Sequence, residues 1–185
     1  ITEGAVAFDG TDDRLILDIG SGGLGSGDFT IEFFSYANTT AGSRGMFQLS
    51  PTSSGLQGAG TALAVYHETG QSSYRMYVND NASGNSTSNI NSNRWNHFAL
   101  VRSGSTQKLY INGIEEISAS SSIDYTTARY LCIGGYYSTT YLWDGYIQDF
   151  RIYKGVAKYT SNFIPASTNP DILPDTPSGV SGSSI

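Results

Sequence analysis

Acidic side chains are the residues whose spacing bears most directly on catalysis, because two carboxyl groups at the right separation can hydrolyse a glycosidic bond. The carboxyl groups must stand about 5 to 5.5 Å apart for a retaining mechanism, or roughly 6.5 to 9.5 Å apart for an inverting one. Acids at positions i and i+2 of a strand share one face about 6.6 Å apart and would meet that need. Glu32 is the only acid in FTIEFFSY, and the adjacent Glu115 and Glu116 point to opposite faces. We therefore predict no hydrolytic site.

The histidines and the cysteine do not form a recognisable catalytic or zinc motif. His67, His97 and Cys132 are scattered, whereas zinc needs three or four clustered ligands, and no Gly-x-Ser-x-Gly elbow marks a nucleophilic serine. We expect His97 to pack within the sheet, because it alternates with apolar residues in WNHFALVR. Cys132, in YLCIGG, should be a buried and inert thiol. His67 stands near a strand end in VYHE, where we expect it to be more exposed and able to contact a ligand.

A run of aromatic residues offers a better candidate site. The stretch GGYYSTTYLWDG places Tyr136, Tyr137, Tyr141 and Trp143 in one loop beside small polar residues. Sugar recognition needs flat aromatic faces and convergent polar groups on a preformed surface. We predict that these four residues and His67 bind a ligand. The alternative is that some of the rings, Trp143 above all, only close the end of the domain.

Charge and hydropathy exclude two classes of partner. The net charge of -6 and the pI near 4.7 oppose binding to nucleic acid or to anionic lipid. No apolar run approaches the roughly 18 residues needed to span a bilayer, so we predict no membrane insertion. The chain begins at Ile1 rather than Met, which indicates a processed product or a module cut from a longer protein.

Hydrophobic periodicity predicts an all-β fold. Short alternating runs separated by Gly, Ser, Asn and Asp recur along the chain, which is typical of a β-sandwich or barrel. Asn112 and Gly113 in LYINGIEEI are suited to a type I′ turn, within a predicted meander of three strands from Trp95 to about Ser118. The polar residues 79–93 are expected to form a long surface loop. Tyr66, Tyr74 and Tyr77 belong to middle strands and are candidates to line one sheet face.

The composition changes near the end of the chain. Four of the five prolines and no aromatic residue follow Phe163. Such a segment cannot bury enough apolar surface to fold alone. We predict one domain over residues 1–165 and a Pro/Ser/Gly-rich linker or tail over residues 166–185.

Five runs of sequence point to one family. In order from Ala5 to Pro165, AFDGTDDRLIL, GDFTIEFFSY, RWNHFALVR, KLYINGIE and DGYIQDFRIYKGVAKYTSNFIP resemble the laminin G-like modules of the concanavalin A-like lectin and glucanase superfamily. The resemblance implies a jelly roll of two packed antiparallel sheets. The ending YKGVAKYT is similar to modules of marine bacterial and phage surface proteins, and DILPDTPSGVSGSS is similar to the linker between tandem copies. These similarities therefore imply an extracellular or virion-surface location, with neighbouring copies of the same module as partners.

The same resemblance implies a structural calcium ion. Modules of this superfamily often carry calcium at the sandwich edge, and Asp149 in QDFRIY matches an aspartate ligand of related β-glucanases. Asp9 and Asp12 of FDGTDDR are the other predicted ligands, since calcium takes six to eight oxygens. The alternative for Asp149 is an ion pair with Arg151 on its own strand or with Arg102 on the next strand.

Alternation along GYIQDFRIY predicts which side chains of this strand face the core. One face carries Tyr146, Gln148, Phe150 and Ile152, with Phe150 and Ile152 as core anchors, and the other carries Ile147, Asp149, Arg151 and Tyr153.

The glucanases of this superfamily carry Glu-x-Asp-x-x-Glu on one strand, a pattern that this chain lacks. We predict a non-catalytic carbohydrate-binding or adhesion module, whose partner is a glycan or cell-surface polysaccharide. The main alternative is a structural spacer or decoration module of a phage or cell-surface fibre, binding protein partners. A third alternative is a β-glucanase.

Overall fold

The computed structural model of this chain describes residues 4–53, 63–68, 73–79, 81–89, 92–136 and 141–165. These residues form fourteen β-strands, and among them we find no helix that could span a membrane. The strands in chain order are β1 (Val6–Asp9), β2 (Leu15–Asp18), β3 (Phe29–Ala37), β4 (Arg44–Ser50), β5 (Leu63–Glu68), β6 (Ser73–Val78), β7 (Asn81–Asn89), β8 (Trp95–Ser103), β9 (Thr106–Ile111), β10 (Ile114–Ser120), β11 (Tyr130–Ile133), β12 (Gly135–Tyr136), β13 (Tyr141–Leu142) and β14 (Asp144–Lys154). The predicted all-β class is confirmed.

Two six-stranded antiparallel sheets make up the sandwich. Sheet A has the order β1-β14-β3-β8-β9-β10, and sheet B has the order β2-β11-β4-β5-β6-β7. The strands β12 and β13 pair only with each other, as a small hairpin. This arrangement is the jelly-roll sandwich that the sequence predicted.

The core between the sheets is built around stacked phenylalanines. The Phe33 ring lies 5.3 Å from the Phe98 ring and 5.2 Å from the Phe150 ring, centroid to centroid. Phe47 from sheet B meets Phe33 edge-on at 5.7 Å. Each fully buried side chain of this size contributes about 1.5 to 3 kcal/mol relative to exposure. Phe150 and Ile152 both pack against this core, as predicted.

A β-bulge changes which residues of β14 face the core. Ile147 was expected on the face opposite Phe150, but it is 3% exposed and also belongs to the core. The register of β14 against β3 shifts between Gln148 and Arg151, and Asp149 has a φ of 56°. An inserted residue reverses the alternation beyond it, and aspartate tolerates the left-handed conformation. The predicted face of Ile147 is therefore wrong.

The turn between β9 and β10 has the predicted conformation. Asn112 and Gly113 have φ values of 51° and 80°. The Asn112 carboxamide oxygen accepts a hydrogen bond from the His97 backbone N–H (2.9 Å), which ties the turn to β8. Strands β8, β9 and β10 lie side by side, so the predicted meander is confirmed.

The predicted long loop over residues 79–93 is wrong for most of its length, because Asn81–Asn89 forms β7 at the edge of sheet B. The Glu116 carboxylate of β10 accepts hydrogen bonds from the backbone N–H groups of Thr87 (2.8 Å) and Ser88 (3.1 Å). Groups on β6 and β10 thus provide hydrogen bonds to the backbone of β7, although its residue types have little preference for strands.

Residues 155–165, which we call the strap, cover part of the outer face of sheet A. The strap packs through Tyr159 and Phe163 against Val101 and Tyr110. It ends beside the β9–β10 turn, where the Phe163 N–H donates to the Gly113 carbonyl (2.9 Å). The predicted linker or tail, residues 166–185, lies outside the described residues, as does the domain boundary that it implies.

Candidate functional site

Three aromatic side chains form a row across adjacent strands on the outer face of sheet A. Trp95 on β8 is the register partner of Tyr36 on β3, which is in turn the register partner of Tyr146 on β14. The ring centroids are 5.6 Å apart for Trp95 and Tyr36 and 5.8 Å apart for Tyr36 and Tyr146. Tyr146 is 39% exposed, and the other two side chains are half-buried. We call these residues the aromatic row.

Polar groups flank the aromatic row along strands β3 and β14. Asn38 follows Tyr36 by two residues, and Asp144 precedes Tyr146 by two. The Asn38 side-chain amide donates to Asp144 Oδ1 (2.9 Å), and Arg44 Nη2 lies 3.9 Å from Asp144 Oδ2. An amide, a carboxylate and a guanidinium therefore stand beside the row, and such groups can hydrogen-bond the hydroxyls of a sugar that lies on an aromatic face.

Arg44 joins three connections at this end of the sandwich, which we call the Arg44 end. Its Nε donates to the Ala41 carbonyl (2.9 Å) in the β3–β4 connection, and its Nη1 donates to the Leu142 carbonyl (3.0 Å) of the hairpin. Gly10, in the β1–β2 connection, has a φ of 73°, and a Cβ there would lie 2.5 Å from Arg44 Nη1. A side chain at this position would displace the guanidinium.

The predicted aromatic loop lies at the same end. Tyr136 and Tyr141 are register partners in the β12–β13 hairpin, which lies against β4. Tyr141 is half-buried, only the backbone of Tyr136 is described, and Tyr137 lies outside the described residues. Trp143 is 1% exposed and packs in the core, so it is not available to a ligand. It closes the end of the sandwich, which is the alternative that the sequence left open for this residue.

The predicted exposure of His67 is wrong, because this side chain is completely buried. His67 lies between Arg44 and Tyr74, its register partners on β4 and β6. Burial lowers the pKa of His67 from 6.5 to about 4, and the charge of Arg44 acts in the same direction. The imidazole is therefore neutral at physiological pH.

The two acids predicted in the β1–β2 connection lie together with a third. Carboxylate oxygens of Asp9, Asp12 and Asp13 all lie within 4.8 Å of one another, and the three residues are exposed. Asp9 Oδ1 accepts from the backbone N–H of Thr11 (2.7 Å) and of Asp12 (3.3 Å). The hydrogen bond from Thr11 is the main cause of a lowered Asp9 pKa. Three exposed carboxylates suit a hard cation such as calcium.

The remaining predicted metal ligand lies elsewhere. Asp9 is the register partner of Asp144, and Asp149 is five residues further along β14, which corresponds to about 17 Å of strand. The Asp149 carboxylate accepts a hydrogen bond from Arg151 Nε at 2.7 Å, which is one of the two ion pairs that the sequence left open. Arg102 instead donates to the carbonyls of Gly104 and Ile123. The three predicted ligands therefore do not form one cluster.

The three tyrosines of the middle strands divide between two faces. Tyr66 and Tyr77 share the outer face of sheet B, where the Tyr66 hydroxyl donates to that of Tyr77 (3.1 Å). Arg75 lies beside them and pairs with Glu68 at 2.5 Å. Tyr74 instead belongs to the core. Tyr66 is only 5% exposed, so this face offers less accessible aromatic surface than the aromatic row.

Glu32, the acid considered first as a possible catalyst, holds the strap in place. Its carboxylate accepts hydrogen bonds from Lys158 Nζ (2.6 Å) and from the Tyr159 hydroxyl (2.8 Å), and His97 Nε2 lies 3.8 Å away. Glu32 is 6% exposed and His97 is 4% exposed. Burial lowers the pKa of His97 to about 4, against the opposing effect of Glu32. His97 thus packs on the sheet, as predicted, but beneath the strap.

The sequence alone did not identify the aromatic row. Tyr36, Trp95 and Tyr146 lie in three predicted strands that are 51 residues or more apart from one another along the chain. Alternation places each of them on a face, but only the register of β14, β3 and β8 aligns them.

Solved structures of other proteins share this fold. Domain 4 of AbnA, a GH43 extracellular arabinanase from Geobacillus stearothermophilus in complex with arabinotriose, superposes with a TM-score of 0.67 at 16% identity, over 83% of this chain and 71% of that one. The CBM40 of the Ruminococcus gnavus IT-sialidase, bound to α2,3 sialyllactose, gives 0.56 at 11% identity, over 78% and 92%. Domains LG4-5 of the mouse laminin α1 chain give 0.59 at 13% identity, over 80% and 40%.

These likenesses concern the fold, since all three identities are low. No curated protein matches the sequence. The laminin G-like family model, described as the Concanavalin A-like lectin/glucanases superfamily, matches residues 9–159, which include strands β2 to β14 and the first five residues of the strap. The chain therefore belongs to the laminin G-like family of the concanavalin A-like lectin and glucanase superfamily.

Proposed function

We propose that this chain is a non-catalytic carbohydrate-binding or adhesion module of an extracellular protein, and that the aromatic row contacts the glycan. The row itself carries the proposal, because one exposed and two half-buried rings lie on adjacent strands beside Asn38 and Asp144. The predicted binding residues Tyr136 and Tyr141 lie in the hairpin at the Arg44 end, and we propose them, together with Tyr137, as further contacts for the glycan.

Two of the structural neighbours support a glycan ligand, since they are in complex with arabinotriose and with sialyllactose. The absence of catalysis is supported by the positions of the acids. Glu32 is engaged under the strap by Lys158 and Tyr159. Asp9, Asp12 and Asp13 are held in a turn by their own backbone.

An array of immobilised neutral and acidic glycans tests the proposal, followed by calorimetry with the best ligand. An aromatic contact is worth about 0.5 to 1.5 kcal/mol beyond its buried area, so we expect Tyr146→Ala to weaken binding by roughly three- to tenfold. Tyr130→Ala, a half-buried tyrosine on sheet B, is the matched control and should leave the affinity unchanged.

Variants of the hairpin determine how far the surface extends. Tyr136→Ala, Tyr137→Ala and Tyr141→Ala should each weaken binding if the glycan continues over the Arg44 end. Failure of the wild-type chain to bind any glycan on the array would contradict the proposed function. Release of reducing sugar from laminarin-type glucans would instead support the β-glucanase alternative.

The structural spacer is the second candidate function. The observation that favours it is an exposed apolar strand, β2, at one edge of the sandwich, where Leu15, Ile16 and Leu17 are between 43% and 44% exposed. Such an edge is suited to another protein strand. Self-association without glycan binding would favour the spacer, including its phage or surface-fibre form with neighbouring copies of the module.

We further propose that the acidic turn of Asp9, Asp12 and Asp13 holds a calcium ion. The donor set is appropriate, because these carboxylates converge within 4.8 Å and are exposed. Calcium at about 100 times its dissociation constant would stabilise the fold by roughly 2.7 kcal/mol. We expect calcium to raise the melting temperature of the wild-type chain after EDTA treatment, and to leave that of Asp12→Asn nearly unchanged. Identical melts with calcium and with EDTA would contradict this site.

A further inference from the structure

The two edges of the sandwich differ in how they are covered. At one edge, the Glu116 carboxylate of β10 binds the backbone of β7, and Gly84 of β7 packs against Ile117. At the other edge stand β1 and β2, the end strands of the two sheets. Long or apolar edge strands are usually protected, because their free backbone groups can pair with another chain.

Among the described residues no further strand pairs with the outer side of β2, and this edge is also the apolar one. Leu15, Ile16 and Leu17 make up most of β2, and they are 43%, 44% and 44% exposed. Val6 on β1, the end strand of the other sheet, is 47% exposed. By contrast, β7 on the opposite edge of sheet B consists only of Asn, Ser, Thr, Ala and Gly. An apolar stretch of this kind is a feature of interaction surfaces.

The charged residues at the two ends of the β2 segment would be complementary between two copies of the chain. The segment reads Arg14-Leu15-Ile16-Leu17-Asp18, with a cation at one end and an anion at the other. Antiparallel pairing of two such strands, centred on Ile16, sets each Arg14 opposite the Asp18 of the other copy. Opposed residues of antiparallel strands point to the same face, so both pairs would meet on the outer face of sheet B.

The contacts of Ile16 and Asp18 are compatible with this pairing. Ile16 and Asp18 are register partners of Cys132 and Tyr130 on β11, which occupies the other side of β2. The Asp18 carboxylate already accepts hydrogen bonds from Arg129 Nε (2.9 Å), from Arg129 Nη2 and from the Gly20 backbone N–H (2.9 Å), and the side chains of Asp18 and Arg129 are 40% exposed. A carboxylate has about four acceptor sites, so one remains for a hydrogen bond from a second guanidinium.

We propose that β2 pairs with β2 of a second copy of this chain around a two-fold axis at Ile16, joining two copies of sheet B into one continuous sheet. The contact is isologous, since each copy supplies the same five residues, Arg14 to Asp18, which include the same two charges. A contact of this size is small compared with stable dimer interfaces, so we expect weak association that neighbouring copies on one surface would strengthen. It does not depend on glycan binding.

Sedimentation velocity over a concentration series tests the proposal directly. We expect the wild-type mass to rise from 19.8 kDa toward twice that value as concentration increases. Ile16→Lys brings two cations together at the axis and should keep the chain monomeric. Ser118→Lys adds the same charge to an exposed position on β10 and should behave as wild type. A wild-type chain that is monomeric throughout, or a dimer that survives Ile16→Lys, would overturn the proposal.

Charge reversal tests the register. Arg14→Asp turns two attractive pairs into two repulsive ones and should weaken association by roughly tenfold or more. Asp18→Arg should do the same. The double variant Arg14→Asp/Asp18→Arg restores opposite charges and should recover dimerisation, even though the contact of Asp18 with Arg129 is lost. A double variant as weak as the single ones, with an unchanged circular dichroism spectrum, would reject this register.

Cross-linking provides an independent measurement. Because Cys132 is the register partner of Ile16, it must first be removed by Cys132→Ala. In that background, Ile16→Cys places two thiols opposite each other across the axis, with Cα atoms about 4.5 to 5.5 Å apart, a separation suited to a disulfide. We expect a disulfide-linked dimer under mild oxidation, and little from Ser118→Cys. Equal yields from the two variants would contradict the proposed interface.

Discussion

The attachment of the strap to sheet A predicts the effect of removing one buried charge. The side chains of Glu32 and Lys158 are 8% and 5% exposed, and their charged atoms lie 2.6 Å apart. In Lys158→Met, the buried Glu32 carboxylate would keep the Tyr159 hydroxyl as its main donor. Breaking a buried pair from one side costs about 3 to 5 kcal/mol of unfolding free energy. We expect about 3 kcal/mol, because Tyr159 still satisfies one oxygen.

A double-mutant cycle separates the loss of the pair from the cost of stranding one charge. Glu32→Leu/Lys158→Met removes both charges, and such replacements are often close to neutral. The Tyr159 hydroxyl would lose its acceptor, which costs about 1 kcal/mol. We therefore expect the double variant to be about 2 kcal/mol more stable than Lys158→Met. Urea unfolding followed by tryptophan fluorescence measures both values.

An exposed ion pair is the matched control. Lys108 and Glu115 are 2.8 Å apart but 26% and 35% exposed, and such surface pairs contribute about 0 to 1 kcal/mol. Lys108→Met should therefore cost less than 1 kcal/mol on the same scale. A Lys158→Met variant no less stable than Lys108→Met would refute the reasoning. So would a loss of unfolding free energy in Glu32→Leu/Lys158→Met that equals the sum of the losses in Glu32→Leu and in Lys158→Met.

Two further predictions concern pH and backbone conformation. Burial lowers the pKa of His67 and of His97 from 6.5 to about 4, so the unfolded chain binds more protons between these values and stability falls as the pH decreases. Each histidine accounts for at most about 3 kcal/mol of unfolding free energy. The urea midpoint of the wild-type chain should fall between pH 7 and pH 4, and it should fall less in His97→Gln. A wild-type midpoint that is the same at pH 7 and at pH 4 would contradict the prediction. Gly113→Ala and Gly104→Ala both place a side chain at positive φ, but a Cβ at Gly113 would lie 1.9 Å from the Phe163 carbonyl oxygen and one at Gly104 would contact nothing within 4 Å. Gly104→Ala should therefore lower the unfolding free energy by about 1 to 2 kcal/mol, and Gly113→Ala should lower it clearly more. Equal melting temperatures for the two variants would show that the strap does not pack closely against this turn.

Local patterns predicted much of the secondary structure. Alternation located β3, β8 and β9, because each has a buried face whose residues recur with the period of a strand. Asn-Gly located the β9–β10 turn, because both residues tolerate positive φ. The same approach failed at β7, where backbone pairing with β6 and β10 outweighs side-chain preference.

The candidate site was less predictable than the strands. The sequence indicated an aromatic loop, and the described residues on its two sides form the β12–β13 hairpin at the Arg44 end. His67 illustrates the limit, since its position near the end of β5 indicated exposure whereas its register partners and neighbouring connections bury it completely. Burial depends on what covers a residue, and the covering segments are distant in sequence.

The sequence by itself determined the all-β class and most of the strands, because these depend on alternation and turn chemistry that act over a few neighbouring positions, and its resemblance to laminin G-like modules indicated the family. The tertiary structure alone decided which distant residues meet. The bulge at Asp149 brings Ile147 into the core, the register of three strands aligns Tyr36 and Tyr146 with Trp95, and the strap buries Glu32. Strand register and packing are global properties, since shifting one strand by a single residue exchanges every side chain between its two faces.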